Sequence, residues 1–346
     1  MIRDHQGVPT ALVIGGEGHY GTRTTAAVRR LGYEVRTAGR SHGDVRLDLT
    51  KPDTWEAVTG FDAVLNASDS VGADPTAFAE WCLRSGSRLI EMGAETTMIE
   101  SLLALRVDDP KGSVLVGAGV FPGLSTALAL SVPAAEEIAI GVRLSPVSGS
   151  GPGNCALMAR MLADPSVWWE DGARQSGPPV GPPLALPFPG GSALAHRVAL
   201  PDAPLLAHAT GCPRVTAHLA TQPGWMRFNL KLLGGLVYNS GPLKRWMEQA
   251  ALWSLYATRG LLLRTRTTAI DLVVRTDQGR AAVRFEDGMA ATGAGGAAVL
   301  ACMRRQAPPP GVHVAGSLYS FEQQARHLEN LGVRMSRHSY STDANS

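Results

Sequence analysis

The first residues in the chain whose types and spacing could do chemistry are glycines. Gly16-Glu17-Gly18-His19-Tyr20-Gly21 matches G-x-G-x-x-G, between the apolar run "ALVIG" and the helical pattern "TRTTAAVRRLG". A strand that turns into a helix through such a loop leaves backbone N–H groups at the helix start open to an anion, and the helix dipole favours the same charge. In this spacing Gly16 makes the tight turn, Gly18 lets a pyrophosphate approach the backbone, and Gly21 lets helix and strand pack closely. His19 and Tyr20 lie in the same loop and join the candidate set. The plainer alternative is a strand–helix turn with no ligand.

The next apolar run, "YEVRTAG", bears on which dinucleotide would fit. NAD binders carry an acidic residue at the end of this strand to hold the ribose 2′-hydroxyl. Here Thr37-Ala38-Gly39 is followed by Arg40 and Ser41, with no carboxylate at that spot. Arg40 can pair with a 2′-phosphate in charge-assisted hydrogen bonds and Ser41 can add another, so NADP(H) is expected over NAD(H). Arg40 as a solvated loop arginine is the alternative. Asp48 is placed for the adenine rim or for capping the helix that follows. The run "AVLNAS" puts Asn66, Ala67 and Ser68 at the carboxyl end of a strand, where open α/β sheets bind ligands. Asn66 either bonds a ribose or phosphate or fixes a loop.

Candidates for proton transfer are fewer. Asp69 and Glu91 should lie near the same crevice, and either could act as acid or base if burial raised its pKa. Tyr238 in "VYNSG" sits at a helix break and could donate a proton, or simply pack. His196, His208 and His218 occupy a polar-to-apolar region where structural roles are commoner. Arg143, Arg197, Arg214 and Arg227 could receive the carboxylates of a substrate, or be solvated. No H-x-x-x-H or C-x-x-C spacing supports a metal.

The elements that must position these residues follow from the pattern. Residues 11 to about 120 alternate short apolar runs with helix candidates at 22–31, 53–58, 75–85 and 95–105, which argues for βαβ units and a parallel sheet. Beyond Pro122, "EIAIGVRLS" reads as a strand leading to a helix near 154–162. "SGPPVGPPLALPFPGGS", 176–192, carries too many prolines for a central strand and is expected to be an irregular loop or a lid. A long helical region spans 230–264. "AIDLVVRTDQGRAAVRFEDG" has the two runs and the turn of a hairpin. Helices are expected at 289–305 and 321–331, and the polar end "HSYSTDANS" is expected to fray.

Composition bounds the rest. The 346 residues are 45% hydrophobic and 18% charged, enough for two domains with real cores, and the net charge of +2 gives no reason to expect a nucleic acid. Four scattered cysteines suit a reduced, cytoplasmic protein. The leader lacks an apolar stretch, so no secretory signal is expected, and the apolar segments at 113–133 and 230–263 are too interrupted for an integral membrane span. Arginine far outnumbers lysine, as in GC-rich bacterial genomes.

These motifs together resemble the saccharopine dehydrogenase-like family. The likeness rests on "GGEGHYG", "AGR", "RLDLT", "AVLNAS", "CLRSGSRLIEMGAE" and "GAGVFPGLST", then on "GMAATGAGGAAVLACM" and "GVHVAGSLYSFEQQARHLENLGV". Cys82, Glu91 and Pro122-Gly123 stand at the family's cysteine-bearing helix, acidic strand end and passage to the second domain, which adds Pro122 to the cofactor set. The middle, about 130 to 265, lies outside the resemblance. The resemblance implies a Rossmann domain over 1–125, a doubly wound parallel sheet completed by C-terminal helices from 289–346. It also implies an α+β substrate and dimerisation domain over 126–288 with a mixed or antiparallel sheet. The implied protein is a homodimeric NADP(H)-dependent oxidoreductase. It transfers hydride to or from a C–N centre of a small amino-acid-like or specialised metabolite. Two alternatives stay open: a trans-acting enoyl (C=C) reductase on an apolar or carrier-bound chain, and a non-catalytic NADP-binding scaffold.

Overall fold

A computed structural model describes residues 7–68, 74–144, 164–221 and 268–340, together with Trp246. They fall into two units that the chain enters alternately, with divisions at 124/125, 289/290 and 333/334.

The first unit is built on β1 (Thr10–Ile14), β2 (Glu34–Gly39), β3 (Val45–Arg46), β4 (Ala63–Asn66), β5 (Arg88–Glu91) and β6 (Ser113–Val116). Their order across the sheet is 3-2-1-4-5-6, and every pair is parallel. This is the doubly wound Rossmann arrangement, with its switch point between β1 and β4. The helices are α1 (Gly21–Arg30), α2 (Thr76–Ser85) and α3 (Thr96–Ala104), with a 3₁₀ turn at Pro52–Val58 where a helix was expected. β4 and β6 are buried at every position, and β1 at all but its first. That is the signature of strands covered on both faces, and it explains why they read as unbroken apolar runs. α1 turns Thr24, Thr25, Ala27 and Val28 inward and keeps its arginines out.

The chain returns to this sheet late. A further parallel strand pairs with β6 over Gly311–Val314, making seven, a strand that the sequence pattern did not reveal. The helix before it, Gly288–Arg305, uses the small residues of "TGAGG" for close approach. A Cβ at Gly296 would stand 2.6 Å from the Met92 sulfur, and one at Gly295 2.9 Å from the Ala118 carbonyl oxygen. A last helix, Phe321–Asn330, starts with a capping box between Ser320 and Gln323.

The second unit carries a nine-stranded mixed sheet. In chain order its strands are β7 (Glu137–Leu144), β8 (Ser166–Glu170), β9 (Ala173–Gly177), β10 (Pro183–Phe188), β11 (Gly191–Arg197), β12 (Arg214–Thr221), β13 (Ile270–Thr276), β14 (Arg280–Phe285) and β16 (Met335–Tyr340), the label β15 being kept for Gly311–Val314. The main path runs 10-11-12-7-13-14-16, with β8 and β9 attached at β12. Only β7 and β12 pair in parallel. Helices α4 (Leu124–Leu130) and α5 (Asp202–Thr210) are tied by Asp202, whose Oδ1 accepts from the hydroxyls of Ser125 (2.5 Å) and Thr126 (2.7 Å).

Two expectations are corrected here. The proline-rich stretch does not form an irregular loop: it supplies β10 and runs into β11. β10 is the edge strand of its sheet, and an edge strand tolerates Pro183 and Pro187 because their missing N–H groups take no ladder bond from a second neighbour. Residues 335–340, expected within a helical completion of the first unit, instead form β16, which pairs with β14 from Arg280↔Tyr340 to Phe285↔Met335, and the rest of the polar end expected to fray lies outside the described residues. Alternating residues there fit a pleated edge, and backbone pairing outweighs their polarity. The helices expected at 154–162 and 230–264 lie outside the described residues.

Candidate functional site

All strands of the first sheet end on one side, so the carboxyl ends of β1, β2, β4, β5 and β6 line a single edge. Register sets Ile14 beside both Ala38 and Asn66, Asn66 beside Glu91, and Glu91 beside Val116. The glycine loop therefore leaves β1 at the switch point.

Its glycines divide the work differently from the sequence-based assignment. The left-handed turn belongs to Gly15 (φ 71°), where a Cβ would stand 2.7 Å from the Ser68 Cα. Gly16, expected to make that turn, instead gives room to Thr37: its Cβ would stand 2.6 Å from the Thr37 Cγ2. A Cβ on Gly21 would overlap the Gly15 carbonyl oxygen, which fixes the start of α1 against the turn. Gly18 differs from all three. Its nearest neighbour would be the Gly15 oxygen at 3.0 Å, within its own turn, and no other element crowds it.

α1 begins at this loop with Tyr20 as its N-cap. No side chain caps it and no acidic residue stands in its first turn, while Arg29 and Arg30 occupy its last. Tyr20 and His19 meet edge to face, and the His19 carbonyl accepts from the Arg23 guanidinium at 2.7 Å. An uncapped helix start and a glycine whose missing side chain leaves space fit a diphosphate, while the N–H groups of Gly18, Thr22 and Arg23 donate within the turn to the carbonyls of Gly15 (2.8 Å), Gly18 (3.0 Å) and Tyr20 (3.0 Å).

Arg40 and Ser41 are exposed on the turn after β2. That turn is anchored by Asp44, which sequence reasoning missed. Asp44 Oδ2 accepts from the Thr37 N–H (2.8 Å) and hydroxyl (3.0 Å), and these bonds hold its carboxyl below the usual range. The signal was present in "GRSHGD", where two glycines and an Asp within six residues are turn chemistry. Asp48 is engaged locally: Oδ1 accepts from the Thr50 N–H (3.0 Å) and hydroxyl (2.8 Å), which lower its pKa. It does not cap the 3₁₀ helix, whose N-cap is Lys51.

Asn66 and Glu91 form a closed pair. Asn66 Nδ2 donates to Glu91 Oε2 at 2.7 Å, Asn66 Oδ1 accepts from the Ser68 N–H (3.2 Å) and hydroxyl (2.6 Å), and Glu91 Oε1 accepts from the Gly93 N–H at 2.7 Å. Both residues are completely buried. Of the two roles weighed for Asn66, the geometry gives loop fixing, through Ser68 to the wall behind Gly15. Burial pushes the Glu91 carboxyl up to about 7, against the lowering effect of its hydrogen bonds. Glu91 thus stands at the carboxyl edge of the sheet with its pKa raised by burial, the condition set for an acid or base there. The Ala67 N–H donates to the Ile14 carbonyl (3.0 Å), and the buried Pro122 accepts from the Gly119 N–H (2.8 Å). Asp69 and Tyr238 lie outside the described residues, as does Arg227.

His196 stands in the second unit with Nδ1 donating to the Gly181 carbonyl at 3.0 Å, a structural contact. Arg143 is buried in an ion pair with Asp271 (2.6 Å) and donates to the Pro189 carbonyl, so its guanidinium is committed to the fold. Arg214 is half-exposed and only 3.9 Å from Glu137. Cys82, Cys212 and Cys302 are buried free thiols. Among the described residues, no helix is long and apolar enough to cross a membrane.

The fold and this edge define the class: a Rossmann-type unit joined to a second unit with a mixed sheet. No family model and no curated protein sequence matches the chain. Among solved structures it is distantly similar to aspartate dehydrogenase from Thermotoga maritima, with 11% identity over 88% of this chain and 99% of that one and a TM-score of 0.35. A dehydrogenase, MviM, from Clostridium difficile has 5% identity over 94% of this chain and 98% of that one, again with a TM-score of 0.35. A Listeria innocua protein covers 30% of this chain and 88% of its own, with 18% identity and a TM-score of 0.19. Likenesses this loose carry no argument about activity, which rests on the site itself.

Proposed function

We propose that the protein is an NADP(H)-dependent oxidoreductase that transfers hydride to or from a C–N centre of a small amino-acid-like metabolite. The observation that carries this reading is the uncapped start of α1 beside Gly18, at the switch point of a parallel sheet. Anions are stabilised at such a helix start by oriented N–H groups and the dipole. The loop from Gly15 to Gly21 would hold the diphosphate, and Arg40 with Ser41 would hold a 2′-phosphate in charge-assisted bonds. When bound, the nicotinamide supplies the hydride chemistry itself. The chain's own part is positional: Glu91 keeps Asn66 in place, Asn66 keeps Ser68, and Ser68 backs the turn at Gly15.

The C–N assignment comes from the resemblance to saccharopine dehydrogenase-like proteins, as does the homodimer. The discriminating experiment is a pair of titrations. Arg40→Ala should weaken NADPH binding at least tenfold, about 1.4 kcal/mol, and leave NADH binding unchanged. Equal effects on both nucleotides would remove the 2′-phosphate assignment. NADPH consumption with imines, with aldehyde–amine mixtures and with enoyl thioesters then separates C–N from C=C chemistry, and turnover with none of them points to a scaffold.

A further inference from the structure

The sheet of the second unit has one face carrying Arg197, His218, Gly141 and Val273 in register across β11, β12, β7 and β13. Arg197 and His218 are direct cross-strand partners, so their side chains stand together. His218 is 5% exposed, and neither ring nitrogen has a hydrogen-bond partner. The Ala195 carbonyl lies near enough to bias the ring without reaching hydrogen-bond geometry. Arg197 Nε is also buried and without a partner. Buried polar atoms are paired in the great majority of cases, and an orphaned pair of donors on adjacent strands calls for an acceptor.

The surroundings hold the arginine still. Its guanidinium carbon sits 3.4 Å over the Trp168 ring, and a Cβ on Gly181 would stand 3.0 Å from its Nε. It is thus clamped between an indole and a stretch of backbone, with its fork pre-arranged. Of the other nearby charges, Arg275 bonds Glu137 at 3.0 Å, the structural His196 lies on the opposite face, and the Glu170 carboxylate, which accepts from Trp168 Nε1 at 3.3 Å, is close enough for its charge to favour the charged guanidinium of Arg197.

We propose that Arg197 and His218, with Trp168 as the stacking wall, form a carboxylate-binding site on the second unit that receives the acidic group of the substrate. A carboxylate supplies the two acceptor oxygens that a guanidinium Nε–H and an imidazole N–H lack here. Burial first, then the fields of Arg197, Arg275 and His196, hold the empty His218 down at about 4, so the free ring is neutral and has one N–H to give. An arriving anion reverses the sign of the local field and favours the protonated ring. The proposal rests on the oxidoreductase reading only in calling the ligand a substrate.

The test uses the full-length protein without nucleotide, so its outcome is separate from that of the dinucleotide titrations. The His218 ring is followed by NMR while succinate is added, with sulfate in a parallel arm. Saturable movement of the ring signals with succinate, and a His218 titration displaced upward from about 4, are expected. Arg197→Gln should weaken succinate binding at least tenfold, and Arg84→Gln on the other unit should leave it unchanged. No saturable movement in the wild type overturns the site, whether or not Arg197→Gln folds. Equal binding of sulfate overturns the carboxylate assignment, and a folded Arg197→Gln that binds succinate normally overturns the role of Arg197.

Discussion

The switch-point edge of the first unit and the Arg197–His218 pair of the second treat buried polar groups differently. In the first, Asn66, Glu91 and Ser68 close on one another, beside a start of α1 that no side chain caps. In the second, Arg143 is paired with Asp271 through Oδ2, while Arg197 Nε and both ring nitrogens of His218, on the neighbouring strands, have no hydrogen-bond partner, as Asp271 Oδ1 has none. A backbone cradle suits a ligand part that never changes, such as a diphosphate. Side-chain donors suit a part that differs between enzymes of one fold. The contrast also bears on energetics, because a closed buried pair resists the loss of either partner, whereas an open group waits for its ligand.

The sharpest break of that contrast is at the closed pair of the second unit. Asp271→Ala leaves the buried Arg143 charge without its partner and should cost about 3–5 kcal/mol in urea unfolding. A loss below 1 kcal/mol would place Arg143 among the open groups instead.

A smaller effect is expected at Glu91, and its sign follows from the pKa. The folded-state value, about 7, lies above the ordinary 4.5, so the folded chain binds more protons than the unfolded chain between those values. Stability is therefore present below pH 4.5 and lost as pH rises to 7, by up to about 3 kcal/mol. Asp202, raised to about 6 by burial, adds a loss of the same sign between 3.8 and 6. Glu91→Gln should abolish the loss between pH 6 and 7 and keep the part below 6. Denaturant melts across this range check both.

The smallest effect on stability is expected at Gly18. Gly18→Ala meets only the Gly15 oxygen, so thermal unfolding should stay within about 1 kcal/mol of wild type. Affinity for NADPH should nonetheless fall at least tenfold. A loss of fold with Gly18→Ala would put this residue with Gly16 and Gly21 as packing glycines and leave the cradle without a ligand-facing position.

The two units also differ in how far the sequence disclosed them. Parallel strands buried on both faces leave continuous apolar runs, so β1, β4 and β6 could be read from composition and spacing. The glycine loop was legible because spacing and context agree, yet the division of labour among Gly15, Gly16 and Gly18 was not. It depends on Ser68 and Thr37, which the chain brings there from other strands. Asn66 and Glu91, 25 residues apart, meet only through the register of β4 with β5. In the second unit the prolines of β10 masked a strand because single-segment pattern cannot tell an edge from a centre. Arg197 and His218 were each visible as residue types, but their adjacency is a product of the β11–β12 register.

One aspect of connectivity has a consequence for synthesis. Gly311–Val314 is the outer strand of the parallel sheet and Met335–Tyr340 the outer strand of the mixed one, with only the helices between 315 and 330 separating them. Both sheets therefore wait for the same late stretch of chain. A nascent polypeptide halted before residue 311 would expose two unfinished edges at once, each a row of unpaired N–H and C=O groups open to a neighbouring chain.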